Sequence, residues 1–297
     1  MTETRSYGNP ASFRQALTDK LRGVASTSRW TLQQLQRQMG YDRFLERLYL
    51  VNGSWIVKGA TALLARDIGV RATIDIDVYL PAAREVAEAE LRQAVGMDIG
   101  DWFRFEIGGP RPVADTGGVR LPVTAFVGNT RWAAFHVDLV GTKLRMTGEP
   151  EDVPPLAQVS MPDLRQHGYR VYPLVDHIAD KVCAMAERHG ATDAPSTRFK
   201  DLVDLVAIVA ARSVEAAPQM AALRSEAARR GLRLPERLDV HDRARWEPGY
   251  AAEARRSLLR SARTLDEALA EVGPFVNPLL DGSARGTWHQ YDKRWAE

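Results

Sequence analysis

Thr73-Ile74-Asp75-Ile76-Asp77-Val78 alternates carboxylate and β-branched side chains from Ile74 onward. Along a strand successive side chains leave opposite faces, so Asp75 and Asp77 share one face while Ile74, Ile76 and Val78 take the other. Two carboxylates about 7 Å apart on one strand repel each other unless something positive lies between them. A divalent cation is the usual solution, and hard oxygen ligands favour Mg2+ or Mn2+. A solvated edge strand carries the same D-x-D pattern, so the pair alone decides nothing.

Its neighbours add the context. Upstream, Trp55-Ile56-Val57 reads as a short buried strand, and Lys58-Gly59-Ala60-Thr61 leads from it into a helix over Thr61–Ala65 that Gly69 would end. A glycine at a helix start lets backbone N–H groups come close to a phosphate. Downstream, a strand over Trp132–Val140 carries His136-Val137-Asp138, which offers Asp138 as a third metal-ligating carboxylate. His136 would share its face, as a ligand neighbour or simply as a solvated or core-satisfied histidine. Strand, glycine turn, helix, D-x-D strand and a further acidic strand is the layout of a nucleotidyltransferase palm. There two metals on three carboxylates neutralise a triphosphate and activate a hydroxyl.

The C-terminal half carries a second block. Asp180-Lys181-Val182-Cys183-Ala184 places Lys181 on an otherwise apolar helix with Val175, Ile178, Val182 and Met185. In Arg198-Phe199-Lys200-Asp201-Leu202-Val203-Asp204-Leu205, Asp201 and Asp204 fall on one helix face. Asp204 interrupts an apolar run, so it needs a partner: a polar cleft, or a salt bridge to Lys181.

Together the two blocks resemble the AbiEii/AbiGii nucleotidyltransferase-like toxin family, of which the mycobacterial MenT toxins are a branch. Val57–Leu63 and Arg71–Asp77 match its glycine turn and R-x-[ST]-x-D-x-D segments, with Ala60 where the family usually has a second glycine. Lys181 and Arg198–Leu205 match its K-x-x-A and R-x-x-D-L-x-D-L segments. The resemblance implies a toxin of a toxin–antitoxin system, with a cognate antitoxin. It also implies transfer of a nucleotide from an NTP to RNA at the tRNA 3′ end, blocking translation. It casts Asp75 and Asp77 as metal ligands, Lys58, Gly59 and Thr61 around the phosphates, Lys181 on the triphosphate and Asp204 completing the site. Thr61 also matches the position of a serine that a kinase-like antitoxin phosphorylates in some MenT-like relatives.

The expected architecture is α+β: a palm-like mixed sheet of the polymerase-beta type with flanking helices over 1–165, then a helical domain over 166–297. N-terminal helices are expected from Ser12, as a cap, to Leu50, with Thr31 capping the second. A helix is expected over Ala82–Val95 and β-structure from Trp102 to Val140. Further helices are expected over Val175–Arg188, Lys200–Arg212, Pro218–Arg230 and Glu253–Val272, with linkers near Pro235, Pro248 and Gly273.

Composition narrows the function classes. The chain has 297 residues, 45% hydrophobic and 26% charged, enough for a sizeable core. Its formal charge of +2 does not by itself mark a nucleic-acid binder. One cysteine, Cys183, excludes an internal disulfide and a cysteine-built zinc site. No apolar leader or run of about 18 apolar residues is present, so no membrane association is expected and the cytoplasm is the default location. Between Arg224 and Arg263 eleven arginines outnumber six acids, as on an RNA-contacting or a salt-bridged helix face. Trp246 and Tyr250 could stack a base or pack between helices. Two alternatives stay open: a non-catalytic nucleotide- or RNA-binding module, and an NTP-hydrolysing relative. The intact D-x-D pair speaks against the first, and the absence of a G-x-x-x-x-G-K-[ST] loop against the second.

Overall fold

The computed structural model describes residues 6–113, 118–141, 144–189 and 194–297, so the reading of the first five residues and of 114–117 lies outside it. The chain forms two compact units. The first comprises 6–66, 73–144 and 152–171, and the second 67–72, 145–151 and 172–297, over their described residues.

The first unit opens with helix α1 (Pro10–Thr27), capped by Asn9, whose side chain accepts from the Ser12 amide at 2.9 Å. Ser12 was the expected cap; it lies in the first turn instead. Asn9 caps equally well and Pro10 presets the helical φ behind it. Helix α2 (Leu32–Val51) starts at a Thr31–Gln34 capping box and runs unbroken to its C-cap at Asn52. Strand β1 (Ile56–Lys58) passes directly into the short helix α3 (Gly59–Ala65), which stops before Gly69. Strand β2 (Asp75–Tyr79), helix α4 (Arg84–Val95), β3 (Phe103–Ile107), β4 (Arg111–Pro112), β5 (Val119–Val127), β6 (Thr130–Leu139), β7 (Glu151–Val153) and β8 (Tyr169–Val171) follow.

The strands make one mixed sheet in the order β3-β5-β6-β2-β1-β8-β7, with β4 beside β5. At its centre β2 runs parallel to β6 and antiparallel to β1. One face is the core. Ile76 and Val78 of β2, Phe135, Val137 and Leu139 of β6, and Val119, Leu121 and Val123 of β5 are buried there with Met39, Phe44, Leu45 and Leu48 of α2. The Phe135 ring sits edge-on to Tyr41 and Phe44 at centroid distances of 5.0 and 5.8 Å. The strict alternation of buried and half-buried residues in β5 leaves the opposite face open, and that face carries the charged side chains.

The second unit contains α5 (Leu174–Ala186), the short pair β9 (Arg188–His189) and β10 (Ala194–Pro195), and α6 (Phe199–Ala211). It continues with α7 (Ala216–Arg230), α8 (Arg243–Arg256), α9 (Leu265–Leu280) and a hairpin of β11 (Thr287–His289) and β12 (Arg294–Ala296). The single helix expected over Glu253–Val272 is two helices, because α8 ends at Ser257 and Thr264 starts α9 with its own capping box. Pro248 and Gly273, expected as linkers, lie inside α8 and α9. Trp246 and Tyr250 are buried, with their polar atoms on the Ser196 and Ala262 carbonyls, so they pack rather than stack bases. Trp288 is buried against Phe275, which docks the C-terminal hairpin. Among the described residues no helix is long and apolar enough to cross a membrane.

Candidate active site

The open face of the central sheet collects the residues that the D-x-D stretch pointed to. Register sets them in rows. Arg120 of β5 pairs with Asp138 of β6, Asp138 with Asp77 of β2, and Asp77 with Lys58 of β1. One step along, His136 pairs with Asp75. Partners in a row lie about 4.8 Å apart on one face. Two acids therefore sit between two cations in the first row, with a third acid beside a histidine in the second.

Gly59 is fitted to this arrangement. Its φ is +61°, a left-handed conformation costly for other residues, and a Cβ placed there would come within 1.8 Å of Asp77 Oδ2. The turn out of β1 therefore lies against the Asp77 carboxylate, and only glycine permits it. Thr61 is fully buried, and its hydroxyl donates to the Asp75 carbonyl oxygen at 3.1 Å. This bond ties α3 to β2 beneath the carboxylates. The hydroxyl, expected on a phosphate and as a possible modification point, is enclosed and already committed. With only seven residues, α3 contributes little macrodipole, so electrostatic attraction for an anion here rests on Lys58 more than on the helix.

Asp75 carries an unsatisfied atom on this face. Its Oδ1 is buried without a hydrogen-bond partner. The His136 Nδ1 lies 3.3 Å away, out of hydrogen-bond alignment and equally unsatisfied. Leaving a buried carboxylate oxygen unmatched costs about 1–3 kcal/mol or more. A hard cation on Asp75 and Asp77 would relieve both this atom and the repulsion between the pair, so these two residues fit a divalent metal. Asp138 does not stand free as the expected third ligand. Arg120 holds it with both prongs of its guanidinium, Nε to Oδ1 at 2.7 Å and Nη2 to Oδ2 at 2.6 Å. Among the described residues no group of three or more His, Cys, Asp or Glu side chains surrounds a point that a metal could occupy. Arg120 is the residue that sequence reading missed. It is an ordinary arginine in a strand until register sets it opposite Asp138.

The second unit brings Lys181 and Asp204 together in a different manner. Lys181 Nζ of α5 donates to Asp204 Oδ2 at 2.6 Å and to Asp201 Oδ1 at 3.0 Å, both on α6. Arg198 Nε completes the cluster on Asp201 Oδ2 at 2.6 Å. All three members of the Lys181–Asp201–Asp204 group are buried. Burial alone would lower the Lys181 pKa; Asp204 and Asp201 outweigh it, and the net shift is upward. As folded, the ammonium expected on a triphosphate is held by two carboxylates, while Asp204 Oδ1 is left buried and unpartnered.

The arginine-rich stretch is partly neutralised within its own unit. Glu226 binds Arg229 and Arg230, and Arg230 also reaches Asp180 and Glu187. Arg243 pairs with Asp266 and Arg256 with Glu253. Arg224, Arg233, Arg237, Arg245, Arg255 and Arg260 remain exposed.

The model of the nucleotidyl transferase AbiEii toxin family, type IV toxin–antitoxin system, matches residues 43–271. The chain belongs to the AbiEii family. It is therefore a nucleotidyltransferase of the toxin class, and a type IV toxin–antitoxin system implies an antitoxin partner. Enzymes of this class generally use a divalent metal. Among solved structures, the chain is similar to MenT4, a nucleotidyltransferase toxin from Mycobacterium tuberculosis H37Rv. The TM-score is 0.55 at 15% identity, over 90% of this chain and 89% of that one. It is also similar to JHP933 from Helicobacter pylori, with a TM-score of 0.44 at 14% identity, over 82% and 92% of the two chains. No curated protein matches the sequence.

Proposed function

We propose that this AbiEii-family protein uses a divalent metal to transfer a nucleotidyl group from an NTP to RNA, with the tRNA 3′ end as acceptor, and so blocks translation. The observation that carries this reading is the fit of Gly59 against Asp77. The turn and the carboxylate pair are built as one unit, and no side chain larger than hydrogen fits between them.

In the proposed reaction the acceptor hydroxyl oxygen attacks the α-phosphorus. A new P–O bond forms as the bond to the β-phosphate bridging oxygen breaks, diphosphate leaves with the electron pair, and the hydroxyl proton passes to water. Asp75 and Asp77 would hold Mg2+ or Mn2+, which supplies Lewis-acid neutralisation of the phosphates. Lys58, next to Gly59 on the other side of Asp77, gives a fixed positive charge to the triphosphate side. Thr61 holds the Asp75 backbone in place and so sets the carboxylate's position. The exposed arginines of the second unit are suited to RNA phosphates.

The test incubates the purified protein with α-labelled NTPs, Mg2+ and total tRNA. Label in tRNA supports the proposal. Released phosphate or diphosphate with unlabelled RNA would make it an NTP-hydrolysing relative, and neither product would make it a binding module.

A further inference from the structure

We propose that His136 is a ligand of the divalent cation, sharing it with Asp75, and that this imidazole biases the site toward a first-row transition ion such as Mn2+ over Mg2+. The proposal rests on the metal-dependent reading above and adds a nitrogen donor to its site.

Three observations support it. His136 of β6 and Asp75 of β2 are register partners, and the His136 amide donates to the Ile74 carbonyl at 3.0 Å, which fixes the two side chains in one row of the open face. Asp75 Oδ1 and His136 Nδ1 lie 3.3 Å apart, both buried, and neither has a hydrogen-bond partner. An ordinary histidine–carboxylate pair aims an N–H at the oxygen, and this pair does not. Two donors held by one octahedral ion at about 2.1 Å lie about 3 Å apart across a right angle, so the pair already has the separation of neighbouring ligands. Finally, the His136 and Asp75 side chains are 37% and 30% exposed, so the row is open to an ion from solvent.

The preference follows from the donor set. Mg2+ sheds water reluctantly and is bound through carboxylate and phosphate oxygens. Imidazole suits first-row transition ions, so a nitrogen placed beside carboxylates favours Mn2+ over Mg2+. Asp77 keeps the role given to it above, and oxygens of the substrate phosphates and of water remain as further donors. A histidine that only braced the Asp75 carboxylate would have the same register and the same distance. It would leave no nitrogen on the metal and no preference between the two ions.

The experiment loads the full-length protein with Mn2+ and inorganic tripolyphosphate, which brings no nitrogen of its own, and reads the ion by electron spin echo envelope modulation without turnover. Wild type is expected to show coupling to a 14N nucleus, which changes to the 15N pattern when the histidines are 15N-labelled. The chain has six histidines, so His136→Leu makes the assignment: the coupling should vanish. In the same variant Mn2+ affinity should fall about tenfold or more while Mg2+ affinity, read by competition, stays within about twofold. Melting curves without metal check that the variant is folded, and the isotope experiment on wild type stands whether or not it is. Mn2+ bound to wild type without nitrogen coupling, or with coupling and affinity that survive in His136→Leu, would overturn the proposal while leaving metal dependence intact. No Mn2+ on wild type would overturn both.

Discussion

Two charged clusters of this molecule hold the same kinds of side chain and resolve them in opposite ways. On the sheet of the first unit, Asp75 and Asp77 lie side by side on a half-open face, one with a buried oxygen that nothing satisfies. Between α5 and α6 of the second unit, Lys181 sits between Asp201 and Asp204 and is enclosed with them. The first arrangement leaves a buried carboxylate oxygen of Asp75 without a hydrogen-bond partner. The second is nearly complete without a ligand. Buried pairs are strongly destabilised when one member is removed, whereas carboxylates that repel each other in the free protein lose little when one is neutralised. The difference separates a carboxylate pair that leaves an oxygen open from a cluster that closes on itself.

The largest effect on stability is therefore expected in the second unit. Lys181→Met should cost about 3–5 kcal/mol in urea unfolding, because Asp201 and Asp204 are left buried with a lost partner. An unchanged midpoint would break the comparison and return Lys181 to a purely ligand-binding role. The pH dependence sharpens it. The folded pKa of Lys181 is raised, so its stabilisation is fully present below the free-lysine value of about 10.4 and lost only as pH rises through the higher folded value. The deficit of Lys181→Met against wild type should thus stay constant from neutral pH to about pH 10.

Gly59→Ala should cost less stability, about 1–2 kcal/mol for the left-handed backbone, yet abolish nucleotidyl transfer because the new Cβ displaces the Asp77 carboxylate. An active Gly59→Ala would mean that Asp77 need not occupy its present position. Thr61→Val should have the smallest effect, about 1 kcal/mol for the lost bond to the Asp75 carbonyl, with measurable transfer retained. If Thr61→Val instead lost nucleotide affinity without a change in melting, the hydroxyl would belong to the phosphate site.

Local pattern made much of this legible. The alternation in β2 placed Asp75 and Asp77 on one face, and the glycine before α3 announced a turn of restricted geometry. The helical stripe around Lys181 and the spacing of Asp201 and Asp204 announced a cluster. What stayed hidden depends on contacts far apart in sequence. Arg120 meets Asp138 only through the β5–β6 register, so nothing local distinguished a free third carboxylate from a paired one. The buried group of Arg43, Arg47 and Asp101 is similar: Asp101 bridges two arginines of α2 across more than fifty residues. The helix break at Ser257 was hidden for another reason. Alanine and arginine continue the helical composition through it, and only the Thr264 capping box shows where the next helix starts.

The most direct test of the account measures melting temperature and label transfer from α-labelled NTP to tRNA on one preparation of Asp77→Asn. The account predicts a melting temperature within a few degrees of wild type and a rate at least about a thousandfold lower, as expected when several kcal/mol of transition-state stabilisation are lost. Transfer near the wild-type rate, or a melting temperature many degrees lower, would contradict it, because the carboxylates would then be dispensable or would serve the fold.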